Sequence, residues 1–173
     1  MPSGGARGLA GDEGDPGSVT AGGRSSVPSD ILARVLARRD LSVAEAKARL
    51  AHAGVAEGPA EQAVASALAC GYLDDARLAE RLVEKELARR PPPAPELVRE
   101  RLEARGLARE IAAAAVRARA DRETVAALVA EYVRAERGRS PARRILGRLA
   151  RLGHEPETVE ALLGDRDADD GDV

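Results

Sequence analysis

Seven arginines stand between positions 134 and 151 of this sequence: Arg134, Arg137, Arg139, Arg143, Arg144, Arg148 and Arg151, against one acid, Glu136. Spacings of four and three put Arg144, Arg148 and Arg151 on one helical face, and Arg137 and Arg139 fall in the turn before it. A guanidinium stays charged and offers a rigid fork of donors, so the cluster suits phosphate or a partner's carboxylates. The chain has two tyrosines and no phenylalanine or tryptophan. Without aromatic platforms for unstacked bases, weak and salt-sensitive nucleic-acid contact is what such a surface offers alone. The competing reading is a solvated face in an arginine-rich chain, since only Lys47 and Lys85 among 27 basic residues are lysine.

Elsewhere the inventory is sparse. His52 and His154 each lie beside a glycine that closes a helix, where the helix dipole favours a solvated imidazole. Cys70 precedes Gly71 and reads as a small half-buried filler, with no histidine placed to activate it. Asp165, Asp167 and Asp169 resemble the opening of a calcium loop. The glycine comes one place late, however, and the sequence stops before the bidentate glutamate position, so this is not a site. Gly4-Gly5 and Gly22-Gly23 lack the strand and helix that a phosphate loop needs. These residues predict no enzyme, no metal and no cofactor.

The elements that carry the arginines follow a triplicated plan. Leu50 and Gly54, Leu102 and Gly106, and Leu149 and Gly153 each stand four apart at the end of an apolar helical stretch, with Ala46, Val98 and Ile145 four positions before the leucines. Glycine just past the last turn can take the left-handed conformation that closes a helix. Helical periodicity predicts three units of three helices and no sheet. The first unit starts near a Ser29 cap, continues after the Ser42-x-x-Glu45 capping box, and ends with a helix following Gly58-Pro59. The second starts at Asp74 or Asp75 and crosses the stiff Pro91–Pro95 run, with Pro95 in a first turn. The third carries Val125, Val129 and Val133, then a helix from Ser140-Pro141, then a short one from Pro156. The expected organisation is a disordered leader over 1–27, three-helix repeats over 28–72, 73–120 and 121–164, and a disordered acidic tail over 165–173. Stacked units of this size form an elongated, curved array, a shape suited to macromolecular partners.

The formal charge is −2, with eight acids and three arginines outside 28–163 and 24 basic residues against 21 acids inside it. That near-neutral balance argues against a general nucleic-acid binder. One cysteine excludes an internal disulfide framework and fits a reducing compartment. There is no signal-type or membrane-spanning apolar run, and the expected location is cytoplasmic.

The stretch Gly71-Tyr72-Leu73-Asp74-Asp75-Ala76-Arg77-Leu78-Ala79 resembles the G-Y-L-[DN]-D-x-x-[FL]-A signature between the first and second repeats of RecX regulatory proteins. Leu97 to Leu107 is similar to that family's basic helix ending L-x-x-[KR]-G-[IVL]. Leu78 stands where the family more often has phenylalanine, Pro91–Pro95 replaces a short basic turn, and the Ala56–Ala60 connection is longer than usual. The resemblance implies a monomeric modulator that binds the RecA recombinase filament on single-stranded DNA and limits its extension, ATPase, strand exchange and coprotease activities. In the signature, Tyr72 and Leu73 are expected to pack between units while Asp74 or Asp75 caps the next helix. A helix-turn-helix-like DNA-binding regulator acting without RecA is the alternative.

Overall fold

The computed structural model describes residues 27–164; the expected disorder of the leader and of 165–173, and the rejected calcium loop, fall outside them. The described residues form nine α-helices and no strand. They are α1 Pro28–Leu36, α2 Val43–His52, α3 Glu57–Ala69, α4 Asp75–Leu87, α5 Pro95–Ala104, α6 Arg109–Arg119, α7 Arg122–Glu136, α8 Ala142–Ala150 and α9 Pro156–Gly164. Helices α1–α3 pack on one another, as do α4–α6, and α9 lies against both α7 and α8.

Local chemistry sets most of the boundaries. Ser42 and Glu45 complete the capping box: the Ser42 hydroxyl accepts from Glu45 N and the Glu45 carboxylate accepts from Ser42 N, both at 3.0 Å. Asp74 and Asp121 cap α4 and α7 through Arg77 N and Thr124 N. Ser29 caps nothing. The helix begins one residue earlier at Pro28, whose missing N–H and fixed φ suit a first turn. The supposed connection Ala56–Ala60 is no loop either, because α3 starts at Glu57 and takes Gly58 and Pro59 into its first turn, where an N–H is not needed.

The recurrent leucine–glycine pairs have one physical basis. Gly54, Gly106 and Gly153 adopt φ of 76°, 79° and 85°. Each lets the following N–H turn back to the leucine carbonyl: Val55 to Leu50 at 3.1 Å, Leu107 to Leu102 at 3.3 Å and His154 to Leu149 at 3.1 Å. The leucine side chains are buried, anchoring every closure in the core.

Apolar burial divides unevenly. The first triplet has its own core, centred on Leu32, Leu41, Leu50, Val64 and Leu73. The second and third share one, running from Leu78 and Val83 through Leu102 and Val129 to Leu149 and Val159.

The triplets meet at two joints built alike. At the first, Gly106 sits against the start of α2, with its Cβ position 2.5 Å from Ala44 Cβ. The Ser42 hydroxyl donates to Arg105 O at 2.7 Å. At the second, Gly153 sits against the start of α5, 3.3 Å from Ala94 Cβ, and Ala94 N donates to Leu152 O at 2.8 Å. In both, the residue before the closing glycine offers its carbonyl to the cap position of the preceding unit's middle helix. The first joint is also charged. Arg105 grips Glu45 at 2.7 Å and donates to Asp40 O, while Arg81 pairs with Asp40 at 2.9 Å. The proline run forms the second joint's floor, since Pro91, Pro92 and Pro93 are buried.

Candidate partner-binding surface

Helices α7 and α8 and their connection hold the seven arginines. The buried side chains of Ile145 and Leu149 seat α8 on the shared core, which leaves Arg143, Arg144, Arg148 and Arg151 at solvent. Gly138 turns the chain with φ of 76°, and Ser140 donates to the Glu136 carboxylate at 2.7 Å, so the cluster's one acid is already engaged.

Two arginines are tied down. Arg137 is half-buried and donates to Leu162 O, fastening the end of α7 to α9. Arg148 donates to the buried Tyr132 hydroxyl at 3.2 Å, a bond that raises its pKa above the ordinary guanidinium value. Arg134, Arg139, Arg143, Arg144 and Arg151 are exposed.

No ion pair among the described residues involves any of the seven, whereas Arg39, Arg81, Arg89, Arg90, Arg99, Arg101, Arg105, Arg119 and Arg122 all meet carboxylates. The contrast is informative. Elsewhere nine of the fifteen described arginines meet carboxylates and Arg34, Arg38, Arg49, Arg77, Arg109 and Arg117 do not, so what sets this stretch apart is that all seven of its closely spaced guanidiniums lack an acid among the described residues. Helix α8 moreover has no acid in its first turn, and Arg143 and Arg144 stand there against the helix dipole. Breaking a local rule without a local gain marks a surface shaped for something else, and here the charge and dipole together favour an anion.

The signature residues separate into distinct roles. Gly71, with φ of 70°, ends α3 and reverses the chain. Leu73 then enters the first core at 2% exposure. Tyr72 does not pack between units: the glycine turn aims it outward, and it is 71% exposed beside an apolar groove formed by α1 and α3. Asp74 caps α4, and Asp75 reaches across the first joint to accept from Val43 N at 2.9 Å.

Glu45 is the strongest electrostatic point of that joint. Burial pushes its carboxyl up, but bonds from Arg105 and Ser42 N–H, with the charges of Arg105 and Arg39, outweigh burial and hold it below the usual carboxylate range. Sequence reading took Ser42 and Glu45 for a cap alone and missed Arg105. No pattern near Arg105 in the sequence marks a partner 60 residues away.

His52 is exposed as expected, but His154 is not a solvated helix-end histidine. Its Nε2–H donates to Pro92 O at 2.8 Å across the second joint. Cys70 is exposed rather than a half-buried filler. A cleft of about 350 Å³ opens at the second joint over Val125, Val129 and Val159, with the Glu96–Arg122 pair on its rim. His154, Glu155 and Thr158 also line it, but the His154 Nε2 is engaged with Pro92 O and no hydrogen bond among the described residues joins the Thr158 hydroxyl to a base. Among the described residues no group of three His, Cys, Asp or Glu side chains could hold a metal, and no helix is long and apolar enough to cross a membrane.

The described residues are thus an all-helical array of three three-helix units, carrying an arginine face that meets no carboxylate among them. No family model and no curated protein matches the sequence. Solved structures do match the fold. The crystal structure of RecX from Lactobacillus salivarius superposes with a TM-score of 0.66 at 14% identity, covering 81% of this chain and 94% of that one. A second crystal structure, described as regulatory protein RecX, gives 0.62 at 16% identity over 79% and 70%. The chain has the RecX fold.

Proposed function

We propose that this chain is a non-enzymatic regulator of the RecA recombinase in homologous recombination, DNA repair and the SOS response, acting in the cytoplasm as a monomer. It binds RecA filaments on single-stranded DNA and restrains their ATPase, strand exchange and coprotease activity. The observation that carries this reading is a fold shared with RecX structures over most of both chains, together with the Gly71–Ala79 signature at the first joint. A rigid body seated across neighbouring protomers favours one arrangement of them, and their turnover slows in proportion to that preference. The arginine face supplies the contact, either to DNA phosphates along the filament or to RecA carboxylates.

The experiment is RecA ATPase on single-stranded DNA at modest salt, with this protein titrated in, beside a variant carrying Arg144→Glu and Arg148→Glu. Inhibition by the wild type that weakens in the folded variant supports the reading. No inhibition at several-fold excess refutes it. Full inhibition by the variant reduces the arginine face to a solvated surface. The alternative, a DNA-binding regulator independent of RecA, draws on the same unpaired arginines and predicts tight duplex binding without RecA.

A further inference from the structure

The arginine face has a ready competitor in its own chain. Segment 165–173 carries Asp165, Asp167, Asp169, Asp170 and Asp172 against Arg166, five acids to one base and a net charge of −4. The face, seven arginines less Glu136, is +6. The segment also starts beside it. Gly164 ends α9, and two residues earlier the Leu162 carbonyl takes the Arg137 side chain, so the exit of α9 is fastened to the first arginine of the connection. Nine residues span up to about 30 Å when extended, while a nine-residue helix such as α8 is about 13 Å long. The whole face lies within reach. Tethering raises the local concentration of the segment to about the millimolar range, so a contact too weak for a free peptide is populated here.

We propose that the acidic segment 165–173 docks on the arginine face and masks it, so that an anionic partner must displace it to bind. This rests on reading that face as a binding surface. The segment is a tethered stand-in for the polyanion: aspartates at alternate positions place carboxylates against arginines that meet no acid elsewhere among the described residues. The mask sets a threshold, being strongest at low ionic strength and fading as salt screens both the mask and the partner.

The test uses the full chain and a fluorescein-labelled oligothymidylate as the anionic probe, read by anisotropy. Four proteins are compared with the wild type: D165N/D167N/D169N/D170N/D172N, the D12N/E13Q/D15N control at the opposite end, and R144E/R148E in both the wild-type and the five-asparagine background. The expected result is about three- to tenfold tighter binding for the five-asparagine protein at low salt, vanishing at about 0.5 M salt. The control should match the wild type, and R144E/R148E should abolish the gain. Equal affinity of wild type and five-asparagine protein, with R144E/R148E still weakening both, overturns the mask and leaves the binding face standing. The same gain per charge from the D12N/E13Q/D15N control overturns it too, because net charge alone then accounts for the effect. Indifference of every protein to R144E/R148E removes the face and the mask together.

Discussion

The construction of the joints makes a graded prediction at the three closing glycines. All three have positive φ, so alanine at any of them carries the left-handed penalty of about 1–2 kcal/mol. All three also gain the same small entropic offset in the unfolded chain, which cancels on comparison. Their surroundings differ. A Cβ at Gly54 meets nothing within 4 Å, one at Gly153 meets Ala94 Cβ at 3.3 Å, and one at Gly106 meets Ala44 Cβ at 2.5 Å. The last contact cannot be relieved by a rotamer change, because both atoms are fixed to backbone. Separating them moves Arg105 off the Ser42 hydroxyl, and overpacking of this kind adds about 1–3 kcal/mol. Gly106→Ala should therefore cost about 2–5 kcal/mol, Gly54→Ala about 1–2, and Gly153→Ala a value between them. For a chain of 173 residues each kcal/mol moves Tm by about 2–4 °C. Thermal and urea unfolding followed by far-UV circular dichroism give the order. Ala44→Gly in the Gly106→Ala background should recover about 1–3 kcal/mol as a coupling energy. Equal costs at all three glycines, or strict additivity of the pair at 44 and 106, would refute the joint as described.

Further outcomes concern the first joint and its surroundings. The Glu45 carboxyl sits below its unfolded value, so its contribution is present above about pH 4.5 and is lost as pH falls through the folded pKa. The wild type should lose Tm on acidification faster than Glu45→Gln; identical profiles would contradict this. Asp75→Ala removes the acceptor for Val43 N and should cost about 1–3 kcal/mol, with faster amide exchange at Val43. An unchanged exchange rate there would show that the bond carries nothing. Tyr72→Ser should leave stability within about 0.5 kcal/mol, because the ring is exposed; a Tm drop of many degrees would mean that the ring packs.

What could be read in advance was whatever depends on near neighbours in sequence. The closures at Gly54, Gly106 and Gly153, the Ser42–Glu45 box, Pro95 in a first turn and the buried leucines all rest on bonds within about six residues. The joints were not legible. Ser42 meets Arg105 at a separation of 63 residues and His154 meets Pro92 at 62, and no local pattern announces either. Tyr72 misled because an aromatic beside a core leucine suggests burial, yet one left-handed glycine decides which of the two turns inward. At the arginine face the sequence supplied the charges, but the absence of acid partners around them required the fold.

The most direct test of the account is binding of the labelled full chain to RecA-coated single-stranded DNA, measured beside the same DNA bare and beside duplex. The account predicts saturable binding to the coated strand, much weaker binding to either bare DNA, and loss of the difference in R144E/R148E. Equal binding to coated and bare strands, or none to the filament, would contradict it.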